Sequence, residues 1–285
     1  IEANPGTADA EHFAAYRAAG VNRISLGIQS FDDDKLKILG RIHDGDAARR
    51  AIAIAQQHFE RVNLDLMFAL PQQSMQDCQT DVATALSFGT EHLSLYQLTM
   101  EPNTLFAKFP PDDLPDDDLA ADMQDWIVDA LAAGGLQRYE ISAYAKPGAQ
   151  CRHNLNYWQF GDYLGIGAGA HGKLSFHDRI VRRVQQRHPA TYIEQALAGS
   201  SCIDERRLAR AELPFEFMLN ALRLIGGVPA SLFEERTGLN AAAIGKQLLD
   251  AERRGLLEAD PARLAATPLG IRFLNELQSM FLGDG

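Results

Sequence analysis

The sequence has few cysteines, no long apolar run and no surplus of basic residues. Its cysteines are Cys78, Cys151 and Cys202, and their wide spacing argues against a disulfide framework or a cysteine-rich metal site. No stretch approaches the roughly 18 apolar residues of a membrane span, and nothing resembles a secretory leader. We therefore expect a cytoplasmic protein with free thiols.

The charge balance argues against a nucleic-acid partner. The net charge is −11, so the chain lacks the basic field that non-specific binding to nucleic acid requires. One segment near the C-terminus, "NAAAIGKQLLDAERRG", is the candidate recognition helix of a DNA-binding module. It mixes Lys246, Arg253 and Arg254 with Asp250 and Glu252, so it lacks a face of one sign. We predict no nucleic-acid partner.

The first 145 residues repeat one theme, in which a short apolar strand leads through a turn to an amphipathic helix. The strands "RISLGIQSF" and "RVNLDLMFAL" alternate with helices, and Ser74 with Asp77 resembles the capping box of one helix. "YEISAYA" is predicted as a further strand. This alternation is typical of a parallel sheet wrapped by helices, an α/β fold. Periodicity alone leaves open a barrel or an open doubly wound sheet.

The last segment has a different order of elements. Residues 205–285 predict a helix, a pair of helices, a hairpin and a final helix that begins at Thr267 and Pro268. This order is the winged-helix pattern. We predict a barrel domain over residues 1–175, a connecting segment over 176–204 and a small winged-helix-like α+β domain over 205–285.

Polar residues recur at the ends of the predicted strands, at about the 30-residue spacing of a βα unit. They are Glu2, Gln29, Asp65 and Gln97. A carboxylate such as that of Asp65 inside a barrel costs several kcal/mol unless it is paired or binds a ligand. The carboxyl ends of parallel strands are where α/β barrels bind ligands, so we predict a ligand site there, with Arg41 placed to reach a ligand carboxylate. The alternative is that each of these side chains pairs with a neighbouring group of the protein and binds no ligand.

The stretch "RHNLNYWQFGDYLGIGAGAHG" combines histidines, aromatics and glycines. It contains G-x-G-x-x-G, but the following "KLSFHDRIVRRV" is β-like, whereas a dinucleotide fingerprint needs a helix there. "HNLNYW" offers His153 as a base, ligand or donor, with Tyr157 and Trp158 able to stack. A buried aromatic corner with a satisfied histidine is the alternative. Residues alone therefore predict a ligand-binding barrel and no specific reaction.

Eight motifs, in this order along the chain, carry a resemblance to a known family. They are "IEANPGT", "RISLGIQSF" followed by "LGRIHD", "NLDLMFALPQQ", "LSLYQLTMEPNT", "RYEISAYAKPG", "CRHNLNYW" and "YLGIGAGAHG". The sequence resembles the HemW heme chaperones, radical S-adenosylmethionine (SAM) proteins close to oxygen-independent coproporphyrinogen III oxidase. The resemblance implies a partial (β/α) radical-SAM-type barrel followed by a small winged-helix-like domain.

The resemblance also assigns site residues and cofactors. It implies S-adenosyl-L-methionine, a 4Fe-4S cluster and heme. Its SAM-binding positions fall on Glu2, Gln29, Arg41 and Asp65, and its heme-handling signature falls on His153, Asn154, Tyr157 and Trp158. His153 is the first candidate for the heme ligand, followed by His171 and the sulfur of Cys151.

The sequence departs from the family pattern in one respect. The superfamily holds its cluster with C-x-x-x-C-x-x-C, which is absent here, and the three cysteines cannot replace it by their spacing. We expect about 100 residues upstream, roughly three βα units of the barrel, to carry the cluster cysteines. No metal ligand is therefore assigned within these residues.

The function that the resemblance implies is a chaperone that binds heme and transfers it to an acceptor protein. A respiratory-chain cytochrome is the candidate acceptor, with peripheral membrane association through it. The alternative is an oxygen-independent coproporphyrinogen III oxidase of porphyrin biosynthesis, in which a 5′-deoxyadenosyl radical abstracts hydrogen from propionate side chains. The resemblance leaves open whether the protein is an enzyme.

Overall fold

A computed structural model describes residues 1–7, 10–102 and 104–283. The chain divides into two compact units, Ile1–Gln150 and Cys151–Gly285. The segment from Cys151 to Ser175 belongs to the second unit, whereas the predicted barrel domain ends at residue 175. The three predicted domain ranges stay predictions.

The first unit is built on a six-stranded sheet. Its strands are β1 (Glu2–Ala3), β2 (Arg23–Gln29), β3 (Arg61–Phe68), β4 (His92–Gln97), β5 (Gln137–Glu140) and β6 (Ala143–Ala145). Their order is β1-β2-β3-β4-β6-β5, with β1 to β4 parallel. The helices are α1 (Ala10–Ala18), α2 (Asp33–Ile38), α3 (Gly45–His58), α4 (Met75–Ser87), α5 (Leu105–Lys108) and α6 (Asp117–Ala133), with a 3₁₀ turn at Pro5–Thr7.

Helices cover one face of this sheet and form the core with it. Ile24, Leu26 and Leu64 from the strands are fully buried together with Ile52 of α3 and Ile127 of α6. Apolar residues alternate with polar ones along each strand, so the apolar set lies on one face. The α/β fold of a radical-SAM-type barrel, with helices packed on parallel strands, is confirmed.

The segment "YEISAYA" forms a hairpin, not the single strand that its pattern predicts. The carbonyl of Ile141 accepts hydrogen bonds from the Arg138 guanidinium at 3.1 and 2.6 Å, within the turn between β5 and β6. The Leu95 amide of β4 then donates to the Ser142 carbonyl at 2.8 Å. The chain therefore reverses, and β6 runs antiparallel to β4.

The second unit contains a three-stranded antiparallel sheet and a helical module. Its strands and helices are α7 (Arg152–Trp158), β7 (His171–Ser175), β8 (Ile180–Gln185), α8 (Pro189–Leu197), β9 (Cys202–Arg207), α9 (Leu213–Ala221), β10 (Val228–Pro229), α10 (Ser231–Thr237), α11 (Gly245–Arg253), β11 (Arg263–Leu264), α12 (Pro268–Arg272) and α13 (Leu274–Ser279). A further 3₁₀ turn spans Ala241–Ile244. Strands β10 and β11 pair antiparallel, and the order from α9 onward is the predicted winged-helix pattern.

Candidate functional site

The face of the first sheet opposite the helices is polar where β2, β3 and β4 lie side by side. The strand register aligns two rows there, Ser25–Asn63–His92 and Gly27–Asp65–Ser94. Asn63 and His92 are each only 1% exposed, whereas Asp65 is half-buried. A buried polar row therefore supports a carboxylate that keeps part of its surface open.

Neighbouring donors hold the carboxylate of Asp65. The Ser25 hydroxyl donates to its Oδ2 at 2.8 Å, and Asn63 Nδ2 donates to its Oδ1 at 2.7 Å. Burial raises the pKa of Asp65 above its usual range, while hydrogen bonds from Ser25, Ser94 and Asn63 act in the opposite direction. The negative charge of Glu2 adds to the rise.

His92 anchors the buried row. Its Nδ1 lies 2.5 Å from Asn63 Oδ1 and its Nε2 lies 2.9 Å from the Tyr139 hydroxyl. Burial and the charges of Arg23 and Arg61 lower the pKa of His92 to about 3, so the ring is neutral at pH 7. Because an amide oxygen only accepts, Nδ1 donates to Asn63 and Nε2 accepts from Tyr139.

The backbone is strained at the carboxyl end of β2, where the side-chain amides of Gln29 and Asn4 lie close to Gly27. Gln29 has a φ of 69° and Ala69, after β3, a φ of 55°, and such conformations cost energy in residues other than glycine. A Cβ atom on Gly27 would lie 2.9 Å from Gln29 Nε2 and 3.1 Å from Asn4 Oδ1. The absence of a side chain at Gly27 thus leaves room for both amides beside Asp65.

Arg41 is positioned by the end of α2. Gly40, with a φ of 68°, turns the chain, and the Arg41 amide donates to the Leu36 carbonyl at 2.9 Å in a Schellman-type ending. His43 Nε2 then bonds to the Ile28 carbonyl at 3.1 Å and ties this loop to β2. The half-buried Arg41 therefore lies in a loop that is fastened to the end of the strand carrying Gln29.

The four predicted strand-end residues do not lie at one level of the sheet. Glu2 pairs with Ser25, one level before Asp65, and Gln29 lies at the bulge that ends β2. Gln97 pairs with Phe68, a core residue on the helix side, and so lies on the face away from Asp65. Five polar residues of this site are absent from the sequence-based prediction: Ser25, Asn63, His92, Ser94 and Tyr139. Two-residue alternation in "RISLGIQ", "RVNLDLM" and "HLSLYQ" would have found the first four.

In the second unit, α7 contains the four residues predicted to handle heme. The rings of His153 and Tyr157 meet edge-on with centroids 4.8 Å apart, and Tyr157 lies 4.3 Å from the ring of Tyr163. His153 is exposed, and its ring nitrogens make no hydrogen bond within the described part of the chain. Trp158 instead packs beneath the Arg223 guanidinium, 4.4 Å from its ring centroid. His153 is therefore available to a ligand, whereas Trp158 stabilises the unit.

The remaining candidates differ in their access to solvent. Asn154 is half-buried, and His171 is exposed on β7. Cys151 is only 5% exposed at the start of α7, so its sulfur is not available at the surface.

The described residues do not fit an iron–sulfur cluster. They contain no group of three histidine, cysteine or acidic side chains that could hold a metal ion. Burial, with Asp81 and Asp77 nearby, raises the pKa of Cys78 to about 12, so its thiol stays protonated. We therefore derive no chemistry through a cluster from these residues.

In residues 1–7, 10–102 and 104–283, none of the helices combines the length and the apolar character needed to cross a bilayer.

Comparisons with known proteins agree with this architecture. The model of the radical SAM superfamily matches residues 1–85, and that of the HemN C-terminal domain matches residues 208–273. The solved structure of coproporphyrinogen III oxidase (HemN) from Escherichia coli, described as a radical SAM enzyme, superposes with a TM-score of 0.79 at 21% identity. The match covers 99% of this chain and 69% of the oxidase chain. At this identity it shows the fold alone.

Two curated relatives are much more similar in sequence. The heme chaperone HemW of Haemophilus influenzae is 45% identical over 100% of this chain and 73% of its own length. The heme chaperone HemW of Escherichia coli is 46% identical over 100% of this chain and 74% of its own length. The chain belongs to the radical SAM superfamily and, within it, to the HemW family of heme chaperones.

Proposed function

We propose that this protein is a heme chaperone that binds heme through α7 and transfers it to an acceptor protein. The observation that carries the proposal is the exposed imidazole of His153, braced edge-on by Tyr157 at 4.8 Å. A neutral imidazole is a common axial ligand of heme iron, and an adjacent aromatic ring packs well against a porphyrin. His171, exposed on β7, is the second candidate ligand.

We propose in addition that the polar face of the first sheet binds S-adenosylmethionine. The donor set fits this molecule, because a held carboxylate such as Asp65 accepts from ribose hydroxyls and a guanidinium such as Arg41 pairs with the amino-acid carboxylate. Gln29 and Glu2 supply an amide and a carboxylate for its remaining polar groups. The residues named here bind and orient the molecule.

Replacement of His153 by alanine is expected to weaken heme binding at least about tenfold, because loss of an iron ligand removes more than 1.4 kcal/mol of binding free energy. The measurement is a titration of the complete protein with heme, followed by the Soret band. Wild-type protein should saturate near one heme per chain.

His177→Ala is the matched control for this titration. His177 is also exposed, in the turn between β7 and β8, and lies outside α7. Its replacement should leave the titration unchanged. Absence of heme binding by the wild-type protein would refute the chaperone function, and equal titrations for the two variants would refute His153 as the ligand.

The oxidase is the alternative function, and the fold supports it as well as it supports the chaperone. Sequence identity favours the chaperone, since it is 45% with HemW and 21% with the oxidase. We expect no anaerobic conversion of coproporphyrinogen III by the reconstituted protein; turnover would establish the oxidase instead.

We further propose the cytoplasm as the compartment, consistent with three free cysteines. The proposed partners are heme and an acceptor protein, with a respiratory-chain cytochrome as the candidate acceptor and peripheral membrane association through it.

A further inference from the structure

A continuous chain of hydrogen bonds crosses the polar face from Tyr139 to Asp65. The Tyr139 hydroxyl lies 2.9 Å from His92 Nε2, and His92 Nδ1 lies 2.5 Å from Asn63 Oδ1. Asn63 Nδ2 lies 2.7 Å from Asp65 Oδ1 and also 2.7 Å from the Ser25 hydroxyl. The chain links β5, β4, β3 and β2, and it ends at the half-buried carboxylate.

Every proton in this chain points toward Asp65. The amide of Asn63 has one orientation only, because the reverse would place its oxygen against Asp65 Oδ1 at 2.7 Å, two acceptors in contact. His92 must then donate from Nδ1 and accept from Tyr139 at Nε2. Bonds aligned in this way polarise one another and strengthen the last donor.

We propose that Tyr139 and His92, acting through Asn63, are positioning residues that hold the Asp65 carboxylate as the acceptor for the ribose hydroxyls of a nucleoside ligand. The inference rests on the proposed function, in which Asp65 contacts S-adenosylmethionine. Neither Tyr139 nor His92 needs to touch the ligand, since both act on the orientation of Asn63.

The carboxylate keeps capacity for such a ligand. Ser25 donates to one oxygen of Asp65 and Asn63 to the other, and Ser94 also bonds to this carboxylate, whereas a carboxylate has about four lone-pair positions. At least one position therefore remains for a ribose hydroxyl, and Asp65 keeps part of its surface exposed. Charged or titratable groups around Asp65 and His92 are Glu2 on β1, Arg23 on β2, Arg61 on β3 and Tyr96 on β4. Glu140 on β5 acts in turn on Tyr96.

The test compares two tyrosines on the antiparallel hairpin. Tyr139→Phe removes the hydroxyl that bonds to His92, and Tyr144→Phe removes a hydroxyl that accepts from Gln124 of α6 at 3.0 Å on the helix side. Binding of S-adenosylmethionine to the complete, anaerobically reconstituted protein is measured by isothermal titration calorimetry. We expect Tyr139→Phe to bind about threefold to tenfold more weakly, the value of one buried hydrogen bond, and Tyr144→Phe to bind as wild type does.

The pH profile of the affinity separates positioning from general stability. Asn63→Ala removes a bond that lowers the pKa of Asp65, so the pH below which affinity falls should move upward. His92→Phe frees the Asn63 amide to turn, and it should also move the pH below which affinity falls upward. Tyr144→Phe should leave the profile in place, because its hydroxyl does not contact this chain of bonds.

The Asp65→Asn variant distinguishes failure of the inference from failure of the proposed function. If Asp65→Asn binds S-adenosylmethionine as wild type does, the proposed ligand site is wrong and the inference falls with it. If Asp65→Asn loses affinity but Tyr139→Phe and His92→Phe match Tyr144→Phe in affinity and pH profile, the positioning role alone is wrong.

Discussion

The Gly270→Ala variant is expected to lose about 3 kcal/mol or more of unfolding free energy in the winged-helix-like module, the upper range for overpacking. Gly270 lies in α12, and a Cβ atom there would clash with the carbonyl oxygen of Leu256. That oxygen already accepts from the Thr267 amide at 3.0 Å, so the backbone cannot withdraw without breaking a hydrogen bond. The added methyl group therefore forces α12 away from the backbone of Leu256.

Gly245→Ala is the control for this substitution. Gly245 begins α11 with an ordinary φ of −57°, and a Cβ atom there meets nothing within 4 Å. Alanine should be neutral or slightly stabilising there, because it is the better helix former. Thermal unfolding followed by circular dichroism gives the stability, and hydrogen exchange of the peptides around α12 locates the loss. Equal stabilities for the two variants would show that the close approach at Gly270 is wrong.

Local sequence signals account for much of the fold. Ser74 and Asp77 form the predicted capping box at the start of α4, with bonds of 3.2 and 2.9 Å. Thr267 caps α12 by accepting from the Gly270 amide at 3.0 Å, as its position before Pro268 predicts. Such signals depend on residues within one turn of each other, so they can be read from the sequence without knowledge of the tertiary structure.

Features that depend on pairing between distant segments could not be predicted in this way. The alternation in β3 predicts that Asp65 faces away from the core, but only the register shows that Ser25 and His92 flank Asn63 on either side. The hairpin of β5 and β6 depends on a carbonyl held by Arg138. Equal spacing along the chain also placed Gln97 with Asp65, whereas the register puts it on the opposite face.

The second large effect is expected at Asp81, whose replacement by alanine should cost about 3 kcal/mol. Asp81 of α4 is 5% exposed; its Oδ2 accepts from the Ser30 hydroxyl at 2.6 Å and its Oδ1 from the Phe31 amide at 2.8 Å. These bonds fasten α4 to the loop that follows Gln29. Alanine would leave the buried Phe31 amide without its partner, and urea unfolding measures the loss.

Asp81→Asn is the matched variant and also tests the protonation of this carboxyl. Its side-chain oxygen can still accept from Phe31, and its amide can donate to the Ser30 hydroxyl, so the shape and both contacts are retained. We expect Asp81→Asn to keep most of the stability that Asp81→Ala loses. Equal losses in the two variants would contradict the assignment of the stability to these two hydrogen bonds.

The difference in unfolding free energy between the wild type and Asp81→Asn should depend on pH, because burial raises the pKa of Asp81 from 3.8 to about 6. Between these values the folded protein binds the proton more tightly than the unfolded chain, so protonation stabilises the fold below pH 4 and this contribution is lost as the pH rises to 6. The unfolding free energy of the wild type, relative to Asp81→Asn, should therefore fall by about 3 kcal/mol across that range and stay level above it. A difference that rises with pH would mean that the folded protein favours the ionised carboxylate of Asp81. The hydrogen bonds from Ser30 and Phe31, in the loop that follows Gln29, would then outweigh the cost of desolvating this carboxylate.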